Sequence, residues 1–480
     1  MFSKDELLKS SSYVDGVWLQ GEKKFAVDNP SSGETIIEVA EIEAEQVLGA
    51  IGAAEKALES WTARTAKDRA EILMRWYELI VEHADILAEI LTLEQGKPVS
   101  EAKGEILYGA SFIQWFAEEG KRAYGDIIPS PVEGARIFVR KEPVGVCAFI
   151  TPWNFPSAMI ARKLGAALAA GCTAVCKPAA LTPLSALALM VLAEEAGVPK
   201  GVINMVVGTH SKEIGQAFTE SEIVKKISFT GSTAVGKALY AQSASTVKKI
   251  SLELGGNAPF IVFDDADIEA AVEGAIACKF RNAGQTCVCA NRIYVQDAIY
   301  DSFAEKLAYK VEQMSVADGL KEGTDIGPLI NEGGLKKVQV HIQDALDHGA
   351  SIMCGGSAHA LGGLFFEPTV LKNVSPDAKV AREETFGPVA PLFKFKDEDD
   401  VIAQANDTEF GLASYFYAKD MSRIWKVAER LQYGMVGVNT PIISNEVAPF
   451  GGVKESGIGR EGSKYGLEEF MELKYILMQG

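Results

Sequence analysis

The residue whose setting most favours chemistry is Cys287, which follows Gly284-Gln285-Thr286. A glycine permits close approach of the backbone, and a thiol becomes a strong nucleophile once a base removes its proton. None of the five histidines has a distinctive setting. Glu253 is a better candidate base, because burial at the end of an apolar strand would raise the pKa of its carboxyl. These two residues predict covalent catalysis by a cysteine and a glutamate.

The remaining cysteines give weaker signals. We interpret five of them as buried small side chains: Cys147, Cys172, Cys176, Cys278 and Cys354. No two cysteines have C-x-x-C spacing, so no metal site is predicted. Cys289 could form a strained disulfide with Cys287 in an extended segment, where residues i and i+2 lie about 6.6 Å apart. We favour the interpretation that Cys289 is an inert neighbour of Cys287, since the cytosol keeps thiols reduced.

Two glycine-rich segments are imperfect phosphate-binding patterns. Residues 457–462 match G-x-G-x-x-G, but no strand is predicted before them, so we do not interpret them as a dinucleotide fingerprint. Residues 231–238 resemble a P-loop that ends in Ala238 instead of a hydroxyl residue. They follow a predicted strand and open a helix, so their amides and the Ser232 hydroxyl could receive a phosphate without a metal. An ordinary Gly-Ser turn explains them equally well.

These residues lie in a chain of alternating strands and helices. Helices are predicted over 157–170 and 185–196, and strands over 144–150, 173–176, 202–207, 224–229 and 249–254. This alternation predicts a parallel sheet of βαβ units, with ligands at the carboxyl ends of its strands. A second alternating region runs from 258 to about 438, with strands over 259–264, 292–295 and 435–439. Apolar spacing also predicts a helix over 67–93, which Gly96-Lys97-Pro98 ends.

Size and charge exclude several classes of function. The 480 residues exceed one ordinary domain. The 47 basic and 65 acidic residues give a formal charge of −18, which makes nucleic acid and membrane surfaces poor partners. The sequence has no uninterrupted run of 18 apolar residues, so we do not predict a membrane span. The first residues are charged, so we do not predict a signal peptide. Because seven sparse cysteines do not make a disulfide framework, we expect a cytoplasmic protein.

Six motifs together resemble the aldehyde dehydrogenase superfamily in order and spacing: Thr151-Pro152-Trp153-Asn154-Phe155-Pro156, Lys177-Pro178-Ala179, Phe229-Thr230-Gly231-Ser232, Glu253-Leu254-Gly255-Gly256, Gly284-Gln285-Thr286-Cys287 and Glu384-Thr385-Phe386-Gly387-Pro388. The resemblance extends over essentially the whole chain. Residues 253–267, 280–292 and 450–466 look like the succinate-semialdehyde branch of that superfamily. The resemblance implies an α/β fold with a Rossmann-like cofactor domain, an α/β catalytic domain and a small β oligomerisation element.

The resemblance also implies the catalytic roles. Cys287 would be the nucleophile and Glu253 the base, while Asn154 and the Cys287 N–H would form the oxyanion hole. The thiolate would attack the aldehyde, hydride would pass to a nicotinamide, and water activated by Glu253 would hydrolyse the resulting thioester. Losing one oxyanion donor costs about 10²–10³ in rate, which is the contribution expected of Asn154.

A dinucleotide site is implied as well. Its residues would be Trp153, Asn154, Lys177, Pro178, Ala179, Ala180, Gly231, Ser232, Leu254, Glu384 and Phe386. Lys177 and Glu384 would hold ribose hydroxyls, and Ser232 the pyrophosphate. Members that prefer NAD commonly have an acid where this chain has Ala180, and that acid would repel a 2′-phosphate. Because the acid is missing, we expect NADP to be preferred, with NAD still used.

The substrate implied by the resemblance is a small semialdehyde with a carboxylate tail. Arg162, Arg281 and Ser444 fall where the branch holds that carboxylate, and an arginine fork suits its geometry. The alternative for Arg162 is a charge on a helix surface. Alternative functions are oxidation of another carboxylated aldehyde such as glutarate semialdehyde, a CoA-acylating reaction, and a non-catalytic role. Glu253 argues against the second and, with Cys287, against the third.

The predicted domain organisation has three parts. Residues 1–124 and 144–252 form the cofactor-binding domain, 253–440 the catalytic domain, and 125–143 with 441–480 the oligomerisation element and C-terminal segment. Residues 468–478 alternate apolar and polar side chains as in an edge strand, and such an edge usually finds cover, here from another subunit. The resemblance suggests a homotetramer built from dimers.

Overall fold

The structure is a computed structural model that describes residues 2–480. Its strands are β1 (Tyr13–Val14), β2 (Val17–Trp18), β3 (Lys24–Asp28), β4 (Thr35–Ala40), β5 (Asp126–Ile128), β6 (Ala135–Pro143), β7 (Val146–Ile150), β8 (Thr173–Lys177), β9 (Ile203–Met205), β10 (Val224–Thr230), β11 (Lys249–Glu253), β12 (Ala258–Val262), β13 (Ala290–Gln296), β14 (Ser351–Cys354), β15 (Thr369–Lys372), β16 (Val389–Phe395), β17 (Ala413–Tyr417), β18 (Met435–Val438), β19 (Gly457–Ile458) and β20 (Met471–Gln479). Its helices are α1 (Lys4–Leu7), α2 (Ala44–Thr62), α3 (Ala66–Glu82), α4 (Ala84–Gln95), α5 (Val99–Glu119), α6 (Ala158–Ala170), α7 (Leu184–Glu195), α8 (Ser211–Glu220), α9 (Thr233–Ser243), α10 (Ile268–Lys279), α11 (Tyr300–Val311), α12 (Glu332–Asp347), α13 (Lys379–Arg382), α14 (Glu398–Asn406), α15 (Met421–Arg430) and α16 (Ser463–Glu468).

The first large sheet has the strand order β19-β11-β10-β7-β8-β9-β1-β2. Strands β7 to β11 are parallel, and numbered from β7 they lie in the order 3-2-1-4-5 of a Rossmann-like sheet. Strands β7 and β8 are buried almost throughout, because a parallel sheet is covered on both faces. The strand order reverses between β7 and β10. The carboxyl ends of these two strands therefore border the crevice in which such a fold binds its ligand.

The second large sheet has the order β14-β15-β16-β13-β12-β17-β18. All its neighbours are parallel except the edge pair β14–β15. The largest cluster of buried apolar residues surrounds it. The strands predicted over 259–264, 292–295 and 435–439 are present as β12, β13 and β18. The α/β architecture predicted from strand–helix alternation is thus confirmed in both regions.

A third sheet stands apart from the other two and has the order β20-β6-β5. Strand β20 pairs with β6 in antiparallel register from Met471 opposite Pro143 to Gln479 opposite Ala135. The strand predicted over 468–478 is therefore present as Met471–Gln479, and its partner β6 comes from the segment expected to accompany it. Several of its apolar side chains are exposed, among them Leu473, Tyr475, Leu477 and Met478. The domain boundaries given above stay predictions.

Two segments differ from their predicted structure. The helix predicted over 67–93 is two helices, α3 and α4, divided at His83, whose backbone leaves helical geometry at ψ 14°. His83 closes α3 with its N–H and its ring Nδ1, both directed at the Leu79 carbonyl. The segment 457–462, for which no preceding strand was predicted, contains the two-residue strand β19, which pairs in antiparallel register with β11, and α16 begins directly after the segment at Ser463. Among the described residues, no helix combines the length and apolarity that crossing a membrane requires.

Candidate active site

Cys287 lies between α10 and β13, in a loop that a tight turn holds in place. Asn282, Ala283 and Gly284 all have left-handed backbone conformations, with φ of 52°, 54° and 74°. A Cβ at Gly284 would overlap the Gly387 carbonyl, so only glycine fits there. The Gln285 side chain secures the loop by donating to the Asn282 carbonyl at 3.1 Å and accepting from the Ile330 N–H at 2.9 Å. The position of the candidate nucleophile is thus fixed by the backbone before it.

The extended geometry assumed for Cys287 and Cys289 is wrong. The segment is a turn in which the Cys289 N–H donates to the Thr286 carbonyl at 3.2 Å. Cys289 is buried, and its Sγ lies 3.3 Å from the Gly284 carbonyl and 3.8 Å from Lys279 Nζ. The strand spacing from which a strained disulfide was inferred therefore does not apply.

Glu253 ends strand β11, where its carbonyl accepts from the Gly231 N–H at 3.0 Å. The residue is buried, and its Oε2 has no hydrogen-bond partner among residues 2–480. Burial, together with the nearby Glu461 carboxylate, raises the pKa of Glu253 well above its usual range. A raised pKa makes the carboxylate form of Glu253 a stronger base, which favours transfer of a proton to it.

The Cys287 thiol is protonated at neutral pH in this environment. Burial is the main cause that raises its pKa to about 12, and the Glu384 and Glu253 carboxylates add to the effect. Only the thiolate is a strong nucleophile, so attack requires transfer of the thiol proton to a base. Glu253 and Cys287 line the same cavity, which makes Glu253 the candidate acceptor.

Asn154 follows β7 and is fixed through both its main chain and its side chain. Its carbonyl accepts from Lys97 Nζ at 2.7 Å and from Asn282 Nδ2 at 3.1 Å. Its side-chain Nδ2 donates to the Gln285 carbonyl at 3.0 Å, beside the candidate nucleophile. The Cys287 N–H makes no hydrogen bond within the described chain. Asn154 Nδ2 is thus engaged with the Gln285 carbonyl while the Cys287 N–H is free within residues 2–480, and the role of these two donors as an oxyanion hole stays a prediction.

A cavity of about 350 Å³ opens in front of Cys287, at the carboxyl ends of β7, β10 and β11. Seven of the predicted cofactor residues line it: Trp153, Asn154, Gly231, Ser232, Leu254, Glu384 and Phe386. Ser232 caps helix α9, and the buried Thr233 Oγ1 behind it has no hydrogen-bond partner in the described part of the chain. The free amides of a helix N-terminus and an unpaired hydroxyl suit a phosphate. The residues present therefore fit a dinucleotide.

The other four predicted cofactor residues, Lys177, Pro178, Ala179 and Ala180, do not line this cavity. They lie at the same edge of the sheet, since Lys177 ends β8 opposite Ile150 of β7. The Lys177 ammonium is buried and donates to the Pro178 carbonyl at 3.4 Å. Burial lowers the pKa of Lys177 to about 8, although the Glu41 carboxylate opposes the effect. Their roles in cofactor binding stay predictions.

A second cavity, of about 290 Å³, lies on the other side of Cys287. The three predicted substrate residues, Arg162, Arg281 and Ser444, all line it, together with apolar side chains such as Phe155, Met159 and Phe450. Cys287, Phe155 and Met159 border both cavities. An aldehyde could thus meet the cofactor at Cys287 while its tail points toward the arginines.

The alternative interpretation of Arg162 as a surface charge is wrong. The residue is 1% exposed, in a helix whose residues are all buried. Arg162 and Lys163 both form ion pairs with Glu461. Lys163 Nζ also donates to Thr230 Oγ1 at 2.7 Å. The single Glu461 carboxylate therefore offsets part of the charge of these two buried cations.

Sequence reasoning missed four residues of this region. Glu461 lies within the glycine motif that was set aside, and Lys337 lines the first cavity near the start of α12. Lys97 is fully buried against Glu105 and the Asn154 carbonyl, and Tyr108 lines the second cavity. Only Lys337 had a signal in the sequence. Asn331 precedes it, and because asparagine commonly caps a helix, it indicates that a helix begins near Lys337.

Comparison with known proteins agrees with this geometry. The chain matches the aldehyde dehydrogenase family model over residues 18–476. It is 60% identical over 472 residues to the NADP(+) succinate-semialdehyde dehydrogenase GabD of Escherichia coli, covering 98% of each chain. It is 57% identical over 477 residues to a glutarate-semialdehyde dehydrogenase of Pseudomonas aeruginosa, covering 99% of each. The crystal structure of succinate-semialdehyde dehydrogenase from Burkholderia pseudomallei has a TM-score of 0.98 at 59% identity, over 99% of this chain and 98% of that one.

These matches confirm the predicted aldehyde dehydrogenase-like fold. They span both large sheets, the loop that carries Cys287 and the strand that ends at Glu253. An identity of 59–60% over nearly the whole chain shows common family membership as well as a shared fold. The chain belongs to the aldehyde dehydrogenase family.

Proposed function

We propose that this protein oxidises succinate semialdehyde to succinate, with NADP as the preferred cofactor and NAD as a second one. The observation that supports this choice of substrate is the pair of arginines, Arg162 and Arg281, in the cavity behind Cys287. Arginine binds a carboxylate through two parallel hydrogen bonds, so the cavity suits an aldehyde with an anionic tail. The names of the E. coli and B. pseudomallei relatives agree with this substrate.

The chemistry follows from the positions of three residues. Glu253 takes the proton of the Cys287 thiol, and Sγ attacks the aldehyde carbon. The oxygen that becomes negative accepts hydrogen bonds from Asn154 Nδ2 and from the Cys287 N–H, once Nδ2 turns from the Gln285 carbonyl. A dinucleotide held by residues such as Ser232, Glu384 and Phe386 would supply the acceptor for the hydride that leaves the substrate carbon. After Glu253 has released the thiol proton to solvent, its carboxylate takes a proton from water, and the resulting hydroxide attacks the acyl carbon on Cys287. The acid leaves, and the Cys287 thiolate takes the proton back from Glu253, which restores the thiol.

The preference for NADP rests on charge near the adenosine ribose. Ala180 places no carboxylate beside Lys177, so a 2′-phosphate meets no repulsion from this position. Two like charges about 4 Å apart repel by about 4 kcal/mol at an effective dielectric of 20. The E. coli relative, whose name specifies NADP(+), supports the same choice.

The direct test is to measure absorbance at 340 nm with purified protein, NADP or NAD, and three aldehydes. Succinate semialdehyde should give the highest kcat/KM, glutarate semialdehyde a lower one, and butanal, which lacks a tail charge, one at least a hundredfold lower. The P. aeruginosa relative makes glutarate semialdehyde the second candidate. A tenfold preference for the five-carbon substrate would move the assignment to that function.

Substitution of Arg281 tests the carboxylate site. Its guanidinium stacks 5.3 Å from the Phe155 ring and has no ion pair among residues 2–480. A hydrogen bond to a charged group contributes about 1.5–3 kcal/mol, so Arg281→Ala should raise KM for succinate semialdehyde roughly 10- to 100-fold. The KM for butanal is the control and should stay unchanged. Equal increases for both aldehydes would contradict the role of Arg281.

The third sheet supports a proposal about assembly. We infer that its exposed apolar strand β20, with Leu473 and Tyr475, contacts another copy of the chain in a homodimer or homotetramer. Exposed apolar patches on an edge strand need cover. We also place the protein in the cytoplasm, because all seven cysteines are free.

A further inference from the structure

Three polar atoms at the cavity behind Cys287 are buried without a hydrogen-bond partner among residues 2–480. They are Tyr108 Oη and the two terminal nitrogens of Arg162, Nη1 and Nη2. Both residues line this cavity. Folded proteins leave few buried polar groups unpaired, so three such atoms in one cavity indicate a ligand that brings acceptor oxygens.

We propose that Tyr108 donates a hydrogen bond to the tail carboxylate of the substrate, beside Arg162, Arg281 and Ser444. The proposal rests on the proposed function and deepens it, because it adds a neutral donor that would contribute to selection of the tail. Sequence motifs give no indication of this residue.

Helix packing brings Tyr108 to Arg162. Tyr108 lies on α5 and Arg162 on α6, and a Cβ at Gly109 would lie only 3.1 Å from the Ala158 Cα. The glycine therefore allows α5 to lie close against α6. The Tyr108 ring packs edge-on against Phe112, with ring centroids 5.0 Å apart. This contact fixes the ring, so the hydroxyl has little freedom to turn elsewhere.

Arg162 is also fixed, with part of its guanidinium left available. Its Nε faces Glu461 in an ion pair, and the guanidinium lies 4.5 Å from the centroid of the Phe450 ring. The Tyr108 hydroxyl lies close enough for the Arg162 charge to lower the pKa of the phenol, although burial raises it more. The hydroxyl thus keeps its hydrogen and remains a donor. A carboxylate oxygen could accept from both.

The carboxylates of this cavity do not serve as partners for Tyr108. Glu105 accepts from Lys97 Nζ at 2.6 Å and from the Ser157 and Ala158 N–H groups at 3.0 and 3.2 Å. Glu101 accepts from the Asn282 N–H at 2.8 Å. Since both acids are engaged elsewhere, an anion from outside the chain is the acceptor that the Tyr108 hydroxyl lacks.

The test is the Tyr108→Phe variant, which removes the hydroxyl and keeps the ring. The KM for succinate semialdehyde should rise about tenfold, with kcat within twofold of wild type and the KM for butanal unchanged. The inhibition constant of succinate, which needs no turnover, should rise by the same factor. Tyr124→Phe is the matched control, because that tyrosine is 72% exposed, and it should change none of these constants.

The outcomes separate this inference from the proposed function. If Arg281→Ala impairs only the charged substrate and Tyr108→Phe does not, the carboxylate site stands and the role of Tyr108 is overturned. Equal changes for both aldehydes in Tyr108→Phe would also overturn it, since they would indicate a packing role. If the wild type does not prefer succinate semialdehyde to butanal, the proposed function fails and the Tyr108 proposal fails with it.

Discussion

Burial sets the protonation of individual residues here, and Lys177 gives this effect a measurable consequence. Its pKa of about 8 means that the ammonium is charged below pH 8 and neutral above it. Only the charged form attracts a 2′-phosphate, so the KM for NADP should rise about tenfold from pH 7 to pH 9, while the KM for NAD changes less. Initial rates across this range with each cofactor measure the effect. Lys177→Met should remove the difference in pH dependence, and parallel curves for the two cofactors in wild type would contradict the role.

At the scale of elements, the turn before Cys287 can be tested against a matched turn elsewhere. Gly284 and Gly33 have the same φ of 74°, but a Cβ at Gly33 meets no atom within 4 Å, whereas one at Gly284 overlaps the Gly387 carbonyl. Left-handed backbone costs alanine about 1–2 kcal/mol. Gly33→Ala should therefore lower the thermal unfolding midpoint slightly with full activity. Gly284→Ala should lower it further and reduce kcat at least a hundredfold, because the loop must shift; equal effects in both variants would refute this.

The elements also show what a sequence can and cannot predict. Strands β7, β8, β10 and β11 follow from β-branched runs between loops, since local composition largely decides them. The division of the long helix at His83 does not follow, because the apolar spacing continues across it. The motif residues around Cys287 and Glu253 could be found from the sequence. Glu461 and Tyr108 could not, since what distinguishes them is contact with Arg162 and its cavity, which the fold alone creates.

At the scale of the whole molecule, the proposed assembly through β20 can be tested by charge. Leu473 is 70% exposed on the third sheet, and Trp425 is 63% exposed on α15. Burying a lysine in an apolar interface is costly, so Leu473→Lys should shift the sedimentation coefficient toward that of the monomer. Trp425→Lys is the control and should leave the assembly intact. An unchanged coefficient in Leu473→Lys would place the contact elsewhere.

The pairing of β6 with β20 has a consequence for synthesis. Most of the chain separates the two strands, so β6 leaves the ribosome well before its partner exists. At 5–20 residues per second, the β5–β6 hairpin waits roughly tens of seconds for its third strand. The charges of Arg136, Arg140 and Lys141 on β6 discourage pairing with neighbouring nascent chains in that interval. The surface proposed to join subunits is complete only after β20 has paired with β6. Subunits would therefore associate only after each chain has been fully synthesised, so that folding of the third sheet precedes assembly.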